Sequence, residues 1–410
     1  MNGIASFVQK VYNETPETPD DTNYVRRLKS MLAQKPFLTN VNWKNELFVM
    51  NTNRKSADFK KYPELLHANG IIMEVPEDHT SAPKIIAYSF NTIRDYTPEL
   101  DTEFADNFDD YFIEPIMDGA IIRVWSRNNE WMISTIKCID ARDANWSNNK
   151  SFRDLFDEAS KDLDYTKLNK DYCYTFVLRH PENHMIIRYD TPSIIHLSTF
   201  DMTSYAYVEH DIDIPQVPKA PFNNFTTLQE NLATPFEPHV LTYDTNLGYI
   251  LTHKQTLNKY KFEAPAYARA KELKGNTPNI KYRIIDIVKN NEIEEFLNFF
   301  PQYSADVDFV RKRIDGLTSD LYNNYKINPN NQSLSSDLRS HTVRELYWIA
   351  REENYINYNR VKKFVSTLSA VRIGILTGVP YLLHQKQFRG KKLVRPRPQF
   401  IPRINPVLST

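Results

Sequence analysis

Glycine is scarce in this chain, with 9 among 410 residues, where an average protein has about 7%. Neither G-x-G-x-x-G nor G-x-x-x-x-G-K-[ST] occurs. Folds that cradle phosphate on bare backbone therefore lose their main support, and any nucleotide site must be built from side chains on strands. Two cysteines, Cys138 and Cys173, are too few for a disulfide framework and lack zinc-ligand spacing. Both read as reduced core residues of an intracellular protein, and no metal site is expected. Charge of either sign is not in excess: 51 Lys and Arg balance 51 Asp and Glu, so electrostatic arguments must be local. Long apolar runs are missing too. The stretch 364–383 is the longest weakly polar one, but Lys362 and Lys363 abut it and Arg372 interrupts it. It reads as a packed C-terminal helix, not a membrane span. The N-terminus lacks the basic-then-apolar order of a secretory signal, so a cytoplasmic protein is expected.

What is present is an ordinary globular composition, 41% hydrophobic and 25% charged, in a chain long enough for two to three domains. Residues 1–35 read as an N-terminal helical segment broken by "ETPETPDD". "KNELFVMNT", "ANGIIMEV" and "KIIAYSF" read as strands joined by Asn-Gly and Pro turns. In "EPIMDGAIIRVW" an Asp-Gly step sits between apolar runs like a turn between strands. "AIIRVW" and "WMISTIKCI" form a hairpin through "SRNNE". "SFRDLFDEASKDL" reads as an amphipathic helix with Ser151 as N-cap and Asp154 at capping-box distance. "DYCYTFVLRHPENHMIIRY" reads as a second hairpin tipped by His180-Pro181-Glu182-Asn183, and "LGYILTH" with "KYKFEAP" as a third pair. From about Ile284 apolar residues recur at three and four. The organisation is α+β over 36–283, a helical domain over 284–383, and a basic, proline-rich tail over 384–410.

The serial order of four segments between Asn69 and Asp286 resembles the ATP-dependent RNA ligases of the phage RNA ligase 1 type, especially a divergent form carried by large DNA viruses. "IMDGAIIRVW…EWMISTIKCIDARDANW" is similar to the family's KxDG motif and its hairpin. "YTFVLRHPENHMIIRY" is similar to its F-E-x-x-x-P-x-N-R strand and turn. "LGYIL" stands at the place of EGxV, and "KYKFEAP" at that of KxK. The resemblance implies a ligase-type nucleotidyltransferase domain with antiparallel sheets. In such enzymes a lysine, its pKa depressed by cationic partners, attacks the ATP α-phosphate to give lysyl-AMP. One glutamate binds the ribose, a second helps hold a divalent metal, and two lysines grip phosphate oxygens.

Set on that scheme, the lysine position is Ile116, the ribose glutamate is Val177 and the metal-side glutamate is Leu247. Asp118, Gly119, Lys259 and Lys261 are retained. Three polar positions have become aliphatic together, and an aliphatic side chain is neither nucleophile nor metal ligand. Lys137, expected on the neighbouring strand, is the candidate for a displaced nucleophile; a solvent-facing strand lysine is the plainer account of it. Lys259 and Lys261 are expected on one strand face as surviving phosphate contacts, or else on a solvated edge. Arg179 and His180 at the hairpin tip face RNA or simply make a turn, and Asp140, Arg142 and Trp146 read as a strand-to-loop anchor. The tail residues Lys391, Lys392, Arg395 and Arg397 suit a counterion-releasing arm on RNA or a partner-binding segment. The leading expectation is a pseudoenzyme that binds RNA, or a protein partner through the helical domain or tail, with no cofactor and no membrane. One alternative is an active RNA ligase using a displaced lysine, with ATP and Mg²⁺. The other is a virion or scaffold component that kept only the fold. If the source is viral, its place is the host cytoplasm or the virion.

Overall fold

The computed structural model describes residues 2–15, 23–145, 150–183, 185–233, 245–276, 279–327, 338–353 and 356–379. Helices α1 (Asn2–Glu14) and α2 (Tyr24–Leu32) precede a meander of β1 (Thr39–Lys44), β2 (Leu47–Thr52), β3 (Asn69–Glu74) and β4 (Lys84–Ala87). Strand periodicity divides this sheet's side chains between two cores. Val41, Phe48, Met50, Ile71 and Met73 pack with α1 and α2, whereas Leu47, Val49, Ile72 and Ala87 join Trp125 and Cys173 of the next sheet and Ile139 from the bend after its last strand.

Next come β5 (Ile93–Asp95), α3 (Asp101–Asp106), β6 (Tyr111–Pro115), β7 (Ala120–Arg127), β8 (Glu130–Thr135), α4 (Phe152–Ala159), β9 (Tyr172–Arg179), β10 (Ser193–Asp201) and β11 (Ala206–Val208). The second sheet runs β11-β10-β9-β7-β8. The β7–β8 turn rests on Asn128 and Asn129, both at positive φ (51° and 64°), as a tight hairpin turn requires. Ser151 and Asp154 form the expected capping box, and Leu155 and Phe156 of α4 are buried against this sheet.

α5 (Phe225–Ala233), β12 (Gly248–His253) and β13 (Lys259–Glu263) follow. The third sheet has the order β5-β13-β12-β6, antiparallel except for the β5–β13 pair. Thus β6 and β7 belong to different sheets, and the Asp-Gly step between them is a crossover rather than a hairpin turn. The chain ends in α6 (Pro265–Lys274), α7 (Ile280–Lys289), α8 (Ile293–Phe299), α9 (Ser304–Ile327), α10 (Leu338–Glu353), α11 (Tyr358–Thr367) and α12 (Ala370–Thr377). The class is α+β with antiparallel sheets and a helical C-terminal region, as expected.

Two further sequence expectations are corrected. The run 185–190 is not a strand, because the backbone N–H groups of Ile186 and Ile187 donate to the Asp118 carboxylate instead of a ladder; β9 pairs with β10. The stretch from Arg360 is two helices, with Ser369 capping the second by accepting from Arg372 N–H.

The described chain forms two compact units: residues 1–280 with 291–305, and 281–290 with 306 onward. In the first, Arg269 of α6 donates to Glu292 and Glu295, which fastens α8 there. In the second, Gly374 of α12 lies so near Tyr282 of α7 that a Cβ would stand 2.5 Å from its ring. No described helix is long and apolar enough to cross a membrane.

Candidate functional site

The third sheet has one apolar and one polar face. Tyr111, Ile113, Leu251, Tyr260 and Phe262 enter its core. The alternate residues Phe112, Glu114, Ile250, Thr252, Lys259, Lys261 and Glu263 line a cavity of about 1220 Å³ within the first unit. Across it stand Ile121 and Val177 of the second sheet and Asn51 and Asn69 of the first. Ile116, Asp118, Gly119 and Lys137 complete the part of the lining that the sequence singled out.

The crossover 116–119 forms the floor. Ile116 is half-buried, and its N–H donates to Gly248 O at 2.8 Å. Val177 is buried opposite Ile121, and Leu247 is buried at 6% exposure but lies outside the lining. The structure therefore brings two of the three aliphatic positions to the cavity and leaves the third behind its wall. Asp118, 3% exposed, is fully engaged. Its Oδ2 accepts from Ile186 N–H (3.0 Å) and Ile187 N–H (2.9 Å), its Oδ1 from the Tyr267 hydroxyl (2.9 Å), and its carbonyl from Tyr189. Near it, burial lowers the Lys274 ammonium to about 8, with Asp118 opposing. Gly119 adopts φ +147°, and a Cβ there would meet Leu178 O at 2.6 Å.

Lys259 and Lys261 share the cavity face of β13, as the alternation implied. Lys259 donates to Thr252 Oγ1 at 2.7 Å, and burial pulls its ammonium below the ordinary lysine range against the pull of Glu114. Lys261 sits between Asp95 (3.0 Å) and Glu263 (2.8 Å), and Glu263 also holds Lys271. Burial pushes the Glu263 carboxyl up, but hydrogen bonds from Lys261 and Lys271 outweigh it and hold it below the usual range. Sequence reasoning missed these partners. Glu263 was findable, two residues beyond Lys261 on the same strand face; Asp95 arrives only through the parallel β5–β13 pairing.

Lys137 is exposed in the bend after β8, not on a strand, and its carbonyl accepts from Asn42 Nδ2. The expected RNA-facing tip is turned inward. Arg179 packs over the Tyr189 ring at 5.0 Å and donates to Met117 Sδ. His180 is 2% exposed and bonds Glu158 through Nε2 while Nδ1 accepts from Glu182 N–H. Asp140 does anchor, joined to Lys44 (2.7 Å) and Arg142. Trp146, Lys391, Lys392, Arg395 and Arg397 lie outside the described residues.

Hard cations need several free oxygens; of the lining carboxylates, Glu263 is shared by two lysines and Asp118 is taken by three donors, while Glu114 and Glu209 complete the set. Among the described residues one trio of metal-ligating side chains converges, Glu158, His180 and Glu182. The Lys150 ammonium already bridges its carboxylates at 2.9 and 2.6 Å.

Solved structures that this chain is similar to include ATP-dependent ligases. An archaeal ATP-dependent RNA ligase aligns over 92% of this chain and 99% of its own, with a TM-score of 0.40 and 10% identity. A Naegleria gruberi RNA ligase aligns over 45% and 58%, at 0.34 and 10%. Among curated proteins, the immediate-early protein ICP-46 homolog of Invertebrate iridescent virus 3 is 27% identical over 232 residues, 54% of this chain and 50% of that protein. Its counterpart in Invertebrate iridescent virus 6 is 24% identical over 263 residues, 57% and 56%. The chain spans about half the length of these relatives. No protein-family model matches it.

Proposed function

We propose that this chain is an RNA-ligase-like protein, related to the phage RNA ligase 1 type, whose adenylylation site is degenerate and whose cleft binds RNA without joining ends. Its setting would be the cytoplasm of an infected cell, or the virion. The observation that carries the reading is Ile116. The residue at the KxDG lysine position faces the cavity with an aliphatic side chain, and the neighbouring Asp118 is spent on holding 186–187 and Tyr267. Val177 on the opposite wall and Leu247 support it, since neither offers a carboxylate at its motif position, and Glu263 is already engaged by two lysines.

The test is incubation with α-labelled ATP and Mg²⁺ or Mn²⁺, followed by denaturing electrophoresis. No label is expected on the chain, while single-stranded RNA binds with an affinity that falls as salt rises. One observation favours an active ligase instead: Lys259 is a cavity-facing amine with a depressed pKa, as an attacking lysine requires. Label that vanishes in Lys259→Ala or in Lys137→Ala would establish that second reading and overturn the first.

A further inference from the structure

Phe112 is the exposed end of the cavity-facing row on β6, with 40% of its surface accessible. A large aromatic left open at a cavity mouth forgoes burial worth a few kcal/mol, and two lysine ammonium groups stand beside its ring, with the exposed Asp109 and Asp110 just before it in the chain. The Lys219 ammonium lies 5.2 Å and the Lys254 ammonium 5.5 Å from its ring centroid. Both lysines are exposed; the Lys254 ammonium donates to the Asp109 carbonyl, and among the described residues neither lysine has a carboxylate partner within ion-pair distance. Their backbones are pinned beside β6: Ala220 N–H donates to Ile113 O and Lys254 N–H to Asp110 O, each at 2.8 Å. The aromatic face and the two charges are thus preset by the sheet.

Register ties this rim to the interior. Phe112 and Lys259 are both paired with Thr252, so the three share one row across adjacent strands, about 5 Å apart from strand to strand. A chain lying along that row would meet an aromatic face, then a hydroxyl, then a buried amine.

We propose that Phe112, flanked by Lys219 and Lys254, is a stacking platform for an unpaired nucleobase of a single-stranded polynucleotide whose backbone phosphates rest on the two ammonium groups. A π-face offered beside lysines is how sequence-tolerant single-strand binding is built, with stacking worth about 1–3 kcal/mol per base. The platform rests on the RNA-binding reading of the cleft and says where a strand enters it.

The test is fluorescence anisotropy on the full chain with labelled single strands of about a dozen nucleotides, as RNA, as DNA and with abasic positions, over a salt series. Phe112→Ala should weaken binding of base-bearing strands about tenfold, Phe112→Trp should restore it, and abasic strands should not distinguish the variants. Lys219→Ala with Lys254→Ala should flatten the logarithmic salt slope by roughly 1.4, two phosphates' worth. Equal loss with RNA and DNA assigns the contact to the base, and loss with one alone assigns it to that polymer; either supports the platform. Wild-type binding with no Phe112→Ala effect, in a variant that melts like wild type, overturns the platform and leaves the cleft reading standing. Wild-type failure to bind any strand overturns both.

Discussion

Asp118 has a structural task in the cavity lining that stands apart from any chemistry there. Its carboxylate completes two backbone N–H groups and one phenol in a buried setting, so its removal leaves three donors unpaired. Asp118→Ala should cost roughly 3 kcal/mol or more. Asp118→Asn should cost about 1 kcal/mol, since the amide oxygen can keep the two N–H groups while the amide nitrogen donates to the Tyr267 oxygen. Urea melts read both, and a neutral Asp118→Ala would remove the structural account. Lys274 adds a pH signature. Its folded pKa of about 8 lies below the ordinary lysine value of 10.5, so between these values the unfolded chain binds more protons and stability rises with pH. Lys274→Met should flatten that rise between pH 8 and 10 in denaturant melts. A slope unchanged from wild type would refute the assignment. The serial order of the segments was enough in sequence to single out the positions 116, 177 and 247, and the first two do line the cavity. The engagement of Asp118 was not legible there, because its partners come from residues 186, 187 and 267.

At the scale of elements, two glycines are held in place by the backbone packed against them. Gly248 has φ +113°, and a Cβ there would stand 2.0 Å from Phe262 O; Gly119 is hemmed by Leu178 O. Backbone atoms in a ladder cannot give way. Gly248→Ala and Gly119→Ala should therefore each cost roughly 2–4 kcal/mol, by strain and collision. Gly316, in mid-α9 with nothing within 4 Å, is the control, and Gly316→Ala should stabilise by about 1 kcal/mol through helix propensity. Thermal melts showing the same sign for all three would contradict this. Alternation and turn chemistry made β7–β8, β12–β13 and the capping box of α4 readable. The crossover at 116–119 was not, because an Asp-Gly step looks alike whether it joins strands of one sheet or of two. The run 185–190 misled for a related reason: its apolar letters suit a strand, but its N–H groups had a better acceptor in Asp118.

At the scale of the molecule the helical region is not a simple appendix. Residues 281–290 belong with 306 onward, while 291–305 belong with the first unit. A chain ended after Ala305 would strip α7 of its own unit and bare Ile284, Ile285 and Ile287, each 0% exposed in the whole protein. Such a truncation should aggregate, whereas one ended after Val379 should melt as the full chain does. The longer form also lacks the basic tail, so its salt slope on single-stranded RNA should be shallower if that tail binds phosphate; an unchanged slope would leave the cleft to account for binding alone. Periodicity revealed the helices from 284 onward, but an interleaved boundary depends on contacts such as Arg269 with Glu292 and Glu295, which no local pattern records.

The alternating series Asp95, Lys261, Glu263 and Lys271 makes the cleft a self-occupied exchanger. A polyanion arriving at those lysines competes with carboxylates already seated there, and each carboxylate it displaces loses the cations that kept its pKa low. Binding is then coupled to proton uptake. A polyanion should be held more tightly as pH falls toward the carboxylate range, and Glu263→Gln should weaken that dependence, with Asp95 supplying the remainder. Acidity would then act beside salt in setting how firmly this cleft holds a polyanion.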